Sequence, residues 1–186
     1  MKKYVLASKN KHKADEIKQI LGEKIEILTM DEAGIGNLEI VEDGGTFEEN
    51  AEKKAIAVYK ATGLPTIADD SGLCVDALSG KPGIFTARFA GENATDDENI
   101  DKLLFEMSGV KEENRTAKFV CVIAVIDKNI SNETQFFRGE CNGYIAEKRA
   151  GNDGFGYDPV FYFPEKGCTL SELGAEEKNL ISHRYK

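Results

Sequence analysis

Along this chain, short apolar runs alternate with stretches in which apolar residues return every three or four positions. KYVLAS (3–8) is such a run and predicts a first strand. After Asn10, residues Ala14, Ile17, Ile20 and Leu21 fall at helical spacing with Gly22 as a stop, so a helix is expected there. IEIL (25–28) predicts a short strand. Residues 30–45 are polar, hold Gly34, Gly36, Gly44 and Gly45, and predict a loop. Thr46 and Glu49 have the spacing of a capping box and predict a helix from there to residue 62, before a strand toward Asp69. Thr95 and Glu98 repeat that spacing ahead of Ile100, Leu103, Leu104 and Met107, which predict a further amphipathic helix. TAKFVCVIAVID (116–127) is the strongest strand signal, rich in β-branched residues and too apolar to be exposed. ETQFFRGECNG (133–143) is expected to pair with it as a hairpin. Strand–helix–strand units combined with a hairpin predict a mixed sheet flanked by helices, of α/β or α+β class.

Composition narrows the function classes. At 186 residues the chain suits one domain, or one domain with two lobes, and no repeat or linker divides it. No run of about 18 apolar residues is present, so no membrane-spanning helix is expected. The basic start MKKYVLASKNKHK has only YVLA as an apolar segment, too short for a signal peptide. Cys74, Cys121, Cys141 and Cys168 form no CxxC pair, which fits free thiols in a cytosolic protein. A net charge of −9 argues against a nucleic-acid binder, whose affinity comes from a broad basic surface. A small polyanion needs only a few cations gathered locally, and Lys9, Lys11 and Lys13 lie within five residues.

The candidate chemistry begins with PTIADDSGLCVDAL (65–78), which reads as strand filling interrupted by Asp69, Asp70, Ser71 and Gly72. Successive side chains on a strand point to opposite faces, so the two acids cannot both look the same way. SKNKHK (8–13) follows a strand and opens a helix, where free N–H groups and the helix dipole favour an anion. It contains no glycine and is no Walker loop; it reads either as a phosphate cradle or as an N-cap with lysines in solvent. Glu42 and Asp43 precede Gly44-Gly45, where acids are usually solvated; Glu42 gains meaning if it approaches Asp69 or Asp70. Lys54 is a surface lysine by default or a second phosphate contact. In GFGYDPVF (154–161), Phe155 between glycines suits stacking on a planar ligand or plugging of a core, and Asp158 before Pro159 suits a turn. His183 and Arg184 in SHRYK offer hydrogen-bond donors or belong to a frayed tail.

Six runs together carry a resemblance. SKNKHK, EDGGTFEENA (42–51), ADDSGLCVDAL (68–78), GKPGIFTARFAG (80–91), GFGYDPVF and EEKNLISHR (176–184) resemble the inosine triphosphate pyrophosphatase family, in the family's order and across nearly the whole chain. The resemblance implies an elongated mixed sheet with helices, in two lobes with a central cleft, and a cytoplasmic homodimer. It implies magnesium-dependent hydrolysis of ITP, dITP and XTP to the monophosphate and pyrophosphate. It makes Ser8, Lys9, Asn10, Lys11, His12, Lys13 and Lys54 triphosphate contacts. Glu42 and Asp70 become magnesium ligands, Asp70 also the base toward the attacking water, and Ser71 a further substrate contact. Phe155 would stack on the purine, with Gly156, Tyr157 and Asp158 completing that wall, and Lys178, His183 and Arg184 would reach the base edge. Asp69, pointing away from Asp70, would help orient the site or the following turn.

Arg184 can only donate, so it suits the 6-oxo group of hypoxanthine and xanthine and faces the amino group of adenine badly. A site built around such a bond rejects the wrong group strongly. Guanine shares the 6-oxo group, so this does not account for its exclusion. The family typically continues past SHR into a terminal helix, whereas two residues follow it in this chain, which bears on base selectivity more than on hydrolysis. The rival readings are a Maf-like pyrophosphatase acting on other bases and a nucleotide sensor without turnover.

Overall fold

A computed structural model describes residues 2–186. Among the described residues there are four α-helices and seven strands. In chain order they are β1 (Lys3–Leu6), α1 (Lys11–Leu21), β2 (Glu26–Leu28), α2 (Phe47–Thr62), β3 (Thr66–Val75), α3 (Asp96–Glu106), β4 (Thr116–Ile126), β5 (Gln135–Ile145), β6 (Phe161–Phe163), β7 (Cys168–Thr169) and α4 (Ala175–Ile181). Those up to β5 follow the periodicities, whereas β6, β7 and α4 are not anticipated from them. The strands form one mixed sheet in the order β2-β1-β3-β4-β5-β6-β7. β1 is parallel to β2 and to β3, whereas β6 is antiparallel to both β5 and β7. No helix is long and apolar enough to cross a membrane, among the described residues.

Helix boundaries have local causes. The Asn10 side chain accepts the Lys13 N–H and starts α1, and the Thr95–Glu98 capping box at α3 is complete. At α2 only half of the expected box forms. Thr46 accepts the Glu49 N–H, but the Glu49 carboxylate reaches past Thr46 to accept the Gly45 N–H. That bond tethers the loop to the helix.

The chain divides into two compact units, residues 1–70 with 121–138, and residues 71–120 with 139–186. It passes from the first to the second along β3, returns along β4, and passes again along β5. In the first unit the chain runs from β1 through α1 out to β2 and back through α2 past β1 to β3; crossovers of the usual right hand put α1 and α2 on opposite faces of the sheet. α1 packs Ala14 and Ile17 on Tyr4, Leu6, Ile27 and Ile67, with Ile123 and Val125 of β4 against the same cluster. α2 buries a stripe of Phe47, Ala51, Ala55 and Val58. The second unit has its own core, in which Leu73, Ile100, Leu103, Met107, Phe119 and Phe161 meet.

Candidate active site

Almost every residue of β3 is buried, so both of its faces are covered and its two acids must each find a partner. Asp69 shares a face with Ile67, the face on which α1 lies. Lys13, from the first turn of α1, brings its Nζ to 2.6 Å from Asp69 Oδ1, and Cys121 of β4 donates its thiol to Oδ2 at 3.1 Å. Asp70 takes the other face and meets α2, where Lys54 Nζ lies 2.6 Å from Asp70 Oδ1 and 3.0 Å from Glu42 Oε2. β1 ends beside Ile67, so both acids lie just beyond its carboxyl end, at the point where the connections diverge. Ligands of open α/β sheets bind at such a point.

Lys54 corrects the default reading of a surface lysine. It is 6% exposed, on the buried stripe of α2, and one ammonium draws the carboxylates of Glu42 and Asp70 together. Burial works against its charge, but Asp70 and Glu42 outweigh burial and hold its pKa above the ordinary lysine value. Burial likewise pushes the Asp70 carboxyl up, against the pull of Lys54 and Lys13 and with help from Glu42. Both directions agree with the charge count, because three carboxylates share two ammoniums. Lys54 stays charged and Asp70 is harder to ionise.

The Glu42 loop is anchored by a residue that sequence reading passed over. Asn50, buried on the first turns of α2, accepts the Gly44 N–H at 2.8 Å, and a Cβ at position 44 would lie 2.6 Å from the same Asn50 oxygen. Glycine is required there by close approach. In the SKNKHK run, Ser8 accepts the Asn10 N–H and Asn10 the Lys13 N–H, so the side chains first build the turn itself. Lys9, Lys11 and His12 are exposed at the start of α1. Two carboxylate oxygens drawn onto one cation are the hard donor set that magnesium commonly takes from a protein. Glu42 and Asp70 therefore fit that ion; among the described residues no cluster of three or more potential ligands exists.

The second unit gathers the other candidates. The Phe155 ring lies 4.7 Å from Lys178 Nζ and 5.7 Å from the Arg184 guanidinium carbon. Asp158 is more than a turn residue: it is buried, accepts the Phe155 N–H, and pairs with Lys178 Nζ at 2.6 Å. Gly154 and Gly156 carry positive φ, and a Cβ on Gly154 would strike the Asp158 carboxylate. The Gly156 N–H goes to Asp96 at the start of α3. Tyr157 is buried with its hydroxyl donating to Thr86 O, and burial pushes that phenol above its ordinary range. Thr86 in turn accepts the Leu73 N–H, so the GKPGIFTARFAG run braces the Tyr157 wall.

His183 and Arg184 belong to no frayed tail. His183 is 6% exposed and stacks on Phe119 at 4.9 Å with 15° between the rings. Arg184 Nη2 donates to Ser71 Oγ at 2.7 Å. Gly139 on β5 admits this segment, since a Cβ there would lie 2.1 Å from the His183 carbonyl oxygen. No local sequence signal marks Gly139, whereas the stripe 47, 51, 55, 58 does place Lys54 and Asn50 on the buried side of α2.

Known proteins share this sequence and fold. Residues 4–186 match the Ham1 family. A protein of Photorhabdus laumondii named dITP/XTP pyrophosphatase is 49% identical over 185 residues, covering 99% of this chain and 93% of its own. One of the same name from Clostridium perfringens is 48% identical over 192 residues, covering 99% and 92%. A solved HAM1 protein from Coxiella burnetii superposes with a TM-score of 0.88 at 43% identity, covering 99% of this chain and 93% of its own. The Staphylococcus aureus Ham1 protein gives 0.86 at 44%, covering 98% and 92%. With a match across the chain, near-half identity and a shared fold, the protein belongs to the Ham1 family.

Proposed function

We propose that this protein hydrolyses dITP, XTP and ITP to the nucleoside monophosphate and pyrophosphate. The supporting observation is the pairing of adjacent acids on β3 with two lysines, with Glu42 drawn to Asp70 by one of them. The names of the relatives at 48–49% identity support the same substrates.

In this reading Lys13 and Lys54, with Ser8 to His12 around them, take the phosphate oxygens. Asp70 accepts a proton from the attacking water, the water oxygen bonds to the α-phosphorus, and the bond from that phosphorus to the bridging oxygen of the β-phosphate breaks. The β- and γ-phosphates leave together as pyrophosphate. Glu42 and Asp70 would hold magnesium, which would supply charge neutralisation at the phosphates.

The purine stacks on Phe155, with Ser71 as a further contact. Tyr157 contributes its ring, because its hydroxyl is spent on Thr86. His183 and Arg184 offer donors to the 6-oxo edge, and Lys178, tied to Asp158, reaches the base only from beside the Phe155 ring. The same reading makes the protein a cytoplasmic homodimer that removes deaminated purines from the nucleotide pool.

Pyrophosphate release is measured from ITP, XTP, GTP, ATP and TTP, each with and without magnesium. Fast metal-dependent release from ITP and XTP, with little from the rest, is expected. Preferential turnover of TTP would favour the Maf-like reading. Binding of ITP without release from any nucleotide would overturn the enzyme reading in favour of a sensor.

A further inference from the structure

We propose that Cys121 is a positioning residue for the triphosphate site: its thiol fixes the Asp69 carboxylate, and through it aims the Lys13 ammonium. The inference rests on the reading of Lys13 as a phosphate contact. On β4, residues 121, 123 and 125 share a face, and Ile123 and Val125 belong to the cluster under α1. An aliphatic residue would continue that row at 121, yet the position carries a thiol, 1% exposed, directed at an acid that is also 1% exposed. The two Asp69 oxygens are held from different elements. Oδ1 faces Lys13 Nζ of α1 at 2.6 Å and Oδ2 faces Cys121 Sγ of β4 at 3.1 Å. Holding both oxygens stops the carboxylate turning about its own axis, which fixes where the ammonium can stand. Buried carboxylates need donors, and a thiol is a weak one. Its contribution is therefore chiefly to position, where displacements of a fraction of an ångström already matter.

The test compares Cys121→Val, which keeps the volume and removes the donor, with Cys121→Ser, which keeps a donor. Alongside them stand Lys13→Ala and the double variant with Cys121→Val, all assayed on ITP with magnesium. Cys121→Val is expected to raise KM about fivefold with kcat within about twofold. It should weaken inhibition by pyrophosphate to the same degree and leave inhibition by IMP unchanged, on the reading that Lys13 contacts the β- and γ-phosphates, which pyrophosphate carries and IMP lacks. Cys121→Ser should recover most of the loss, and the double variant should be no worse than Lys13→Ala alone. Unchanged KM in Cys121→Val overturns the proposal, as does equal weakening of IMP and pyrophosphate inhibition, which would signal general loss of packing. Additive losses in the double variant overturn it too. If Lys13→Ala itself keeps normal pyrophosphate inhibition, the phosphate role of Lys13 fails instead.

Discussion

Replacing Asp70 by Asn keeps the volume of the side chain and removes its charge and basicity. The wild-type carboxylate lies 2.6 Å from Lys54 Nζ, and burial keeps its pKa above the usual carboxylate value of 3.8. A positioned general base contributes about 10²–10⁴ in rate, which corresponds to roughly 2.7–5.5 kcal/mol of barrier. Turnover of ITP in Asp70→Asn should therefore fall about a thousandfold. Binding should survive, because Lys13 and Lys54 are untouched and one negative charge near the phosphates is gone. Single-turnover pyrophosphate release gives the rate, and titration calorimetry with a non-hydrolysable triphosphate gives the Kd. The pH profile carries an independent sign. Asp70 must be ionised to accept a proton, so wild-type kcat falls as pH drops and this carboxylate becomes protonated, and that acid limb should vanish from the residual rate of the variant. Retention of more than about a tenth of wild-type turnover would refute the assignment of Asp70 as base, since it lies below the lower bound for such a group.

Three further outcomes are expected. Lys54→Met leaves Glu42 and Asp70 without the cation they share, so in EDTA it should cost about 3 kcal/mol, roughly 6–12 °C in Tm for a chain of this size. Millimolar magnesium should return part of that loss, and an unchanged Tm in EDTA would contradict the buried pairing. Gly139→Ala forces a methyl group to 2.1 Å from the His183 carbonyl. The overpacking should cost about 1–3 kcal/mol and reduce the preference for ITP over ATP while leaving pyrophosphate inhibition intact; unchanged selectivity would detach His183 and Arg184 from base recognition. Burial pushes Asp127 up, but the donors Lys2, Tyr4 and Asn129 outweigh it and hold its pKa at about 2. Its folded value lies below the unfolded 3.8, so its stabilisation is present above pH 3.8 and is lost as pH falls toward 2. Thermal melts of Asp127→Asn should lack that component of the acid destabilisation.

Periodicity and capping made the elements legible because both are local. Asn10, Thr46 and Thr95 start their helices as their side-chain chemistry dictates, and the apolar run at 116–127 is the strand β4. The site was legible only in part. Asp69 and Asp70 could be assigned opposite faces from strand geometry alone, but their partners depend on which helix covers which face, a property of the crossovers. Lys54 was readable in principle, since the spacing of Phe47, Ala51, Ala55 and Val58 puts it on the buried side. Its polarity made solvent the simpler assumption. Cys121 and Gly139 left no trace at all. Each matters through one contact with a residue more than forty positions away, and no window of sequence contains both members.

An acidic chain that binds a polyanion poses an electrostatic problem, which the pairing on β3 answers in a testable way. Glu42, Asp69 and Asp70 against Lys13 and Lys54 leave this set one negative charge in excess. The ammoniums are already desolvated and fixed, so turning them to phosphate oxygens costs little ordering entropy. The surplus carboxylate, however, repels a triphosphate in a partly buried place where screening is weak. On this reading a divalent cation would be needed for binding as well as for chemistry. Wild-type affinity for a non-hydrolysable ITP analogue should fall about tenfold or more in EDTA, and Asp70→Asn, which removes the excess charge, should lose much less. If both proteins bind the analogue equally well without magnesium, the excess charge is not what the metal offsets, and the coupling between Asp70 and the phosphates argued here is wrong.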